Sequence, residues 1–240
     1  ADRRQDTVDR VAEVRRQSQE RPEFMVHMMA VEDVSETVAA DIRSLLALDF
    51  QQSSFDLDLD AIRAEVETLD AVASAAVQIR GGGVLSINVT EREPAIVWRT
   101  PEGLTLLDAE GNRVSAIEAR ADRPSLPLIA GQGADAAVPE ALTLIALAAP
   151  IAPRVRGLLR VGERRWDLVL DRGQHIQLPE SDAATALKKV IALDGAQDLL
   201  ARDIAAIDFR NPRRPVLRLT SGAVDAMNDI ELTQTTDALR

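Results

Sequence analysis

Apolar residues along this chain recur in two distinct rhythms. Leu59, Ile62, Val66 and Leu69 stand three and four apart, the stripe of an amphipathic helix. Val38, Ile42, Leu45 and Leu46 form a similar face, opened by Asp33 and Glu36 at capping-box spacing. AAVQIR and VLSINVTER alternate with period two, which predicts two strands joined through Gly81-Gly82-Gly83 as a hairpin. With FMVHMMAV (24–31) as a preceding strand, the order is strand, helix, helix, strand, strand. This predicts a small α+β unit of two helices against a three-stranded sheet.

From Glu93-Pro94 the texture changes to short strands and turns. AIVWRT, LTLLD, PLIAG, GLLRV, WDLVL, HIQL, IAAIDFR and PVLRLTS read as strands. GLLRV, WDLVL and HIQL, split by GERR and DRGQ, predict an antiparallel meander. VPEALTLIALAA (138–149) reads as an apolar helix that must be mostly buried, and a second helix is expected from Ser181 to about Leu193. The fold class is therefore α+β, with a mainly antiparallel β domain and flanking helices as the second part. Residues 1–22 read as a solvated helical stalk, with Arg3, Arg4, Arg10, Arg15, Arg16 and Arg21 interleaved with acids and Pro22 as its stop. The expected domains are 1–22, 23–93, 94–222 and a polar, disordered tail over 223–240.

Composition narrows the function. Of 240 residues 46% are hydrophobic, enough for one large core or two modest ones. With no cysteine, disulfides and thiolate-bound metals are excluded, while the redox compartment stays open. The net charge of −11 and an aromatic content of 2% disfavour nucleic acid and anionic lipid. The chain opens at Ala1, so an upstream segment is expected, either a processed signal or a piece cut away. The most apolar run, ALTLIALAAPIA, is broken by Pro150 and falls short of the about 20 residues a membrane helix needs.

Candidate chemistry is sparse. Asp56, Asp58, Asp60 and Glu67 have nearly the spacing of a calcium-binding EF-hand loop, but Ala61 stands where that loop needs glycine. The helical stripe running through the same residues predicts Asp58 as an N-cap and Asp60 as a first-turn carboxylate. The glycine triplet is followed by a strand, which argues against phosphate binding. His27 and His175 lie in separate predicted strands, and Glu91 and Glu93 flank Arg92 at an element end, where acids are ordinary. No nucleophile elbow, Walker loop or dinucleotide fingerprint is present. The sequence predicts no catalytic residues, cofactor or metal.

One resemblance extends over about Phe24 to Ser221. SSFDLDLDAIRAEVETLDAVASAAVQIR, VLSINVTEREPAIVW and LLDAEGNRV resemble the FtsQ/DivIB family of bacterial division proteins, and V-T-E-R-E-P-A followed by W resembles its domain junction. WDLVLDRGQHIQL and IDFR are similar to the family's second domain. The resemblance implies a POTRA domain followed by a β domain, and a non-enzymatic divisome scaffold. It also implies a single membrane helix upstream, a periplasmic location at the septum, binding of FtsB and FtsL, and recruitment linked to FtsK. Two connections depart from the family: Glu32 stands where many members have glycine, and the glycine triplet where others have a proline-containing turn.

Partner capture has a candidate place in the last strand. Pro212 and Pro215 bracket its start, a position where a missing N–H is tolerated. An open edge would let a foreign segment add itself as a further strand. The family pairing of FtsB with this strand makes Val216, Leu217, Arg218, Leu219 and Thr220 the candidate contacts. Arg210 and, more remotely, Arg164 either meet acidic partner side chains or are solvated surface charges. Two rival readings stand beside this one: a POTRA-type substrate-guiding module of an outer-membrane assembly or secretion system, and a periplasmic hydrolase.

Overall fold

A computed structural model of the chain describes residues 25–47 and 53–227. The chain divides into two compact units between Arg92 and Glu93. The expected stalk over 1–22 and the end of the tail, 228–240, lie outside the described residues.

The first unit has strand β1 (Met28–Glu32), helices α1 (Glu36–Leu46) and α2 (Leu59–Val66), and strands β2 (Val72–Arg80) and β3 (Val84–Glu91). Its sheet runs β1-β3-β2, with β1 parallel and β2 antiparallel to the central strand. Val38, Ile42, Leu46, Ile62 and Val66 from the predicted faces meet Leu85, Ile87 and Val89 in one core, while Leu45, expected with them, is only half-buried and outside it.

Helix α2 settles what the carboxylates of 56–67 do. Asp58 is its N-cap, its carboxylate accepting from Ala61 N at 3.0 Å. Glu67 accepts from Ala75 N at 3.0 Å, on the outer side of β2. Asp58 and Glu67 thus flank a continuous helix over Leu59–Val66, a backbone that cannot also wrap around a cation. Calorimetric titration with calcium should be flat, and Asp58→Ala should cost about 1 kcal/mol in denaturant unfolding.

The capping box expected at Asp33 and Glu36 does not form. Asp33 adopts a left-handed turn conformation at φ 62°, and Ser35 is the N-cap, without a side-chain cap bond. Ser35 N–H instead donates to the Glu91 carboxylate, brought in from the end of β3. Glu91, one of the two acids that flank Arg92, thus serves a helix end. Glu32 pairs with Arg80 through two hydrogen bonds of 2.7 and 2.8 Å. Gly83 is required by close approach, because a Cβ there would lie 2.1 Å from Met25 O.

The second unit holds strands β4 (Ile96–Thr100), β5 (Gly103–Leu107), β6 (Arg113–Ile117), β7 (Leu128–Ala130), β8 (Val155–Val161), β9 (Arg165–Leu170), β10 (His175–Gln177), β11 (Ile204–Asp208) and β12 (Val216–Leu219). Helices α3 (Val138–Leu147) and α4 (Ala183–Gln197) connect β7 to β8 and β10 to β11. One sheet takes all nine strands in the order β12-β11-β10-β9-β8-β7-β4-β5-β6. Five pairings are antiparallel and three parallel; two of the parallel ones, β7–β8 and β10–β11, join strands linked by a helix. A helical crossover is what allows a chain to return in the same direction.

Three sequence expectations are corrected. Strand β6 (Arg113–Ile117) is not among the strands the sequence predicts. Helix α3, expected to be mostly buried, fully buries only Val138, Ala141 and Leu144. Residues 221–227 are helical, which takes in 223–227, the start of the expected tail.

Trp166 anchors this core. It is fully buried, its Nε1–H donates to Glu140 Oε2 at 3.0 Å, and the Arg160 guanidinium stands 4.9 Å from its ring centroid while bonding the same carboxylate at 2.8 Å. Gln174, also buried, ties the β9–β10 turn to the approach of β11 by donating to Arg202 O and Ile204 O. Among the described residues no helix is long and apolar enough to cross a membrane, and no group of three or more His, Asp or Glu is placed to hold a metal.

Candidate partner-binding edge

Strand β12 is built by a tight turn. Asn211 Oδ1 accepts from Arg213 N at 3.1 Å and Asn211 O from Arg214 N at 3.0 Å, which reverses the chain after β11. Pro215, with no N–H to lose, leads into the strand. β12 then runs antiparallel to β11, Val216 opposite Asp208, Leu217 opposite Ile207 and Arg218 opposite Ala206, with a bulge in β11 before Ile204 meets Leu219.

β12 is the outermost strand of the nine. Its backbone polarity follows from one bond: Thr220 N donates to Asp203 O at 3.0 Å. Alternate residues of a strand point their amide groups the same way, so Val216 and Arg218 also face β11. Leu217 and Leu219 therefore turn their N–H and C=O away from the sheet, a row unpaired among the described residues that a further strand can use.

Side chains make this edge unusual. Leu168, Ile176 and Ile207 form a row across β9, β10 and β11 and are essentially inaccessible; the next member, Leu217, is 44% exposed. A core row thus runs out into solvent. Val216 (53%) and Leu219 (37%) are exposed as well, as are Val224 and Met227 in the helical segment that follows.

The opposite face of the same strands is polar. Asp167, Gln177, Asp208 and Val216 align across it. Arg210 closes on Asp208, its Nη2 2.6 Å from Oδ2 and its Nε within 3.0 Å of both oxygens. This hydrogen-bonded guanidinium holds the Asp208 carboxyl below its ordinary range, and Asp208 raises the pKa of Arg210. Arg210 is thus already engaged, and an acidic partner would share it with Asp208. Beside it lies a groove of about 450 Å³ lined by Asp208, Arg210, Asn211, Arg214 and Val216. Arg164 sits in the β8–β9 turn and pairs with Glu180 at 3.1 Å, both side chains more than half exposed, a kind of pair that contributes little. Thr220 also has local work: its Oγ1 accepts from Ala223 N at 3.3 Å at the start of the 221–227 helix.

Asp167, which no sequence motif marks, is buried on this face. Burial pushes its carboxyl above the ordinary range, more than the Arg165 charge 3.6 Å away lowers it. A carboxyl raised in the folded state binds its proton more tightly there, so the native state gains relative stability as pH falls through the raised value. Above the raised value it carries the cost of a buried charge, offset only in part by Arg165. Asp167→Asn should therefore raise Tm at pH 7 by roughly 2–4 °C for each kcal/mol relieved. The gain should shrink as the pH is lowered toward the raised value, where the wild-type carboxyl also becomes neutral. A lower Tm at pH 7 would show that the Arg165 attraction outweighs burial.

Comparison with known proteins gives two family matches. A model described as "Cell division protein FtsQ/DivIB, C-terminal" matches residues 96–210, and one described as "POTRA domain, FtsQ-type" matches residues 26–92. Cell division protein FtsQ of Cereibacter sphaeroides is 53% identical over 209 residues, which are 87% of this chain and 68% of that protein. The protein of the same name from Roseobacter litoralis is 49% identical over 229 residues, 95% of this chain and 78% of its own length. Among solved structures, the major extracytoplasmic domain of the division protein DivIB from Geobacillus stearothermophilus aligns at 17% identity with a TM-score of 0.32, covering 45% of this chain and 96% of that one.

Proposed function

The chain belongs to the FtsQ/DivIB family of bacterial cell division proteins, and from that premise we propose that it is a non-enzymatic divisome scaffold that captures FtsB, together with FtsL, along the open side of β12. The reading places this region in the periplasm at the septum, beside an inner membrane crossed by one upstream helix, with recruitment linked to FtsK. The carrying observation is the coincidence at β12 of an unpaired backbone row and an apolar core row that ends exposed at Leu217. A partner strand would satisfy the outward groups of Leu217 and Leu219, and an apolar side chain on it would complete the row. Main-chain pairing supplies affinity in such additions, and alternate side chains supply selectivity.

The test is calorimetric titration of the chain with a synthetic FtsB periplasmic segment, in parallel with hydrogen exchange. Saturable binding that protects the Leu217 and Leu219 amides is the expected result. Absence of binding, or protection confined to another surface, would overturn the reading.

A further inference from the structure

The far end of the nine-stranded sheet carries a different surface. Trp98, Thr105 and Ala116 align across β4, β5 and β6, on the face whose continuation through Ile96 and Leu107 belongs to the helix-covered core. They line a recess of about 370 Å³ together with Thr100, Glu102 and Arg113. That volume falls within the range of small-ligand sites.

The indole is held in place. Trp98 Nε1–H donates to Gly131 O at 3.2 Å, and Gly131 itself admits no side chain, because a Cβ there would lie 2.2 Å from Arg160 O. The ring is half-buried and lines the recess. Polar groups stand around it in a particular mixture. The Thr100 hydroxyl keeps the Glu102 carboxyl below its ordinary range, so Glu102 is an acceptor at neutral pH. Arg113 offers only donors, while Thr100 and Thr105 can do either. Arg113 lies opposite Leu107 and Glu102 lies beside Gly103, so the two charges are separated by roughly 13 Å of strand.

Opposite charges at the two ends favour neither a small anion nor a small cation. A sugar ring meets both demands: its C–H face stacks on an indole, and its rim of hydroxyls needs donors and acceptors together. We propose that this recess binds a neutral saccharide, with one ring seated on Trp98 and its hydroxyls shared among Glu102, Thr105 and Arg113. The site is separate from the β12 edge and independent of the scaffold reading.

The chain has two tryptophans, so the two indole N–H signals in a nitrogen-15 correlation spectrum separate this site from the core. The full chain is titrated with cellotetraose, with chitotetraose and with a zwitterionic tripeptide. A saturable shift of the Trp98 signal with either saccharide, while Trp166 stays fixed, is expected. Trp98→Ala should abolish binding. Trp98→Phe should bind about two- to tenfold more weakly, since a smaller aromatic face remains. Glu102→Gln, an exposed change that leaves the fold intact, should also weaken it, so the site stays testable if Trp98→Ala fails to fold. Leu217→Pro should leave it unchanged. No shift with either saccharide at millimolar concentration, or a response to the tripeptide alone, would overturn the proposal.

Discussion

Leu217→Pro is expected to weaken binding of an FtsB periplasmic segment by roughly 30- to 150-fold while leaving the fold intact. Proline removes one N–H, and at Leu217 that N–H points away from β11. The internal ladder therefore keeps its bonds, and an edge strand tolerates the ring. An incoming strand would lose a hydrogen bond and bury its own carbonyl unpaired, together costing about 2–3 kcal/mol. Arg218→Pro makes the contrast, because its N–H faces β11 and its loss should loosen β12 itself. Leu217→Asp provides a second route, keeping the backbone donor but placing a charge where the core row would close. Wild-type affinity in a correctly folded Leu217→Pro chain, with β12 still protected from exchange on its inner side, would remove strand addition as the mechanism.

Trp166→Ala is expected to destabilise the second unit by about 3–5 kcal/mol in denaturant unfolding. For a domain of this size that corresponds to roughly 6–20 °C in Tm. The change empties the largest fully buried side-chain volume in the described chain and withdraws a donor from Glu140. It also removes the ring surface over which Arg160 lies, and the Arg160 Nε already has no hydrogen-bond partner. Trp166→Phe keeps most of the volume and should cost clearly less, the difference reporting the indole N–H and the larger ring. A loss below about 1 kcal/mol for the alanine variant would show that the core can close around the gap.

Local pattern and tertiary context contributed unequally to what could be read from the residues. The stripe Leu59, Ile62, Val66 outweighed the carboxylate spacing around it because a helix face extends over several turns, whereas a metal-loop match rests on a few positions. The alternations in β2 and β3 were legible for the same reason: each runs over eight or nine residues, with Leu85, Ile87 and Val89 in the core and Val77 and Ile79 packed against it. Asp33 and Glu36 misled because capping-box spacing is a short signal, and the acceptor for Ser35 came from Glu91, distant in sequence. β6 was missed because five residues with one buried position make too faint an alternation. The candidate contacts on β12 were named through family resemblance and proximity to two prolines. Asp208, which occupies Arg210, and Asp167, buried beside it, gave no such signal.

The sequence by itself determined the two-part organisation, the helix–helix–hairpin order of the first unit and most strands of the second. These follow from periodicity and composition, which act over neighbouring residues. Only the tertiary structure decided that β12 is outermost, that its Leu217 and Leu219 amides point outward, and that the buried row through Ile207 ends in solvent. Strand order and the direction of a backbone donor depend on which distant segments pair. Hydrogen-bond register between segments is set by packing across the whole sheet, and no local pattern of residues encodes it.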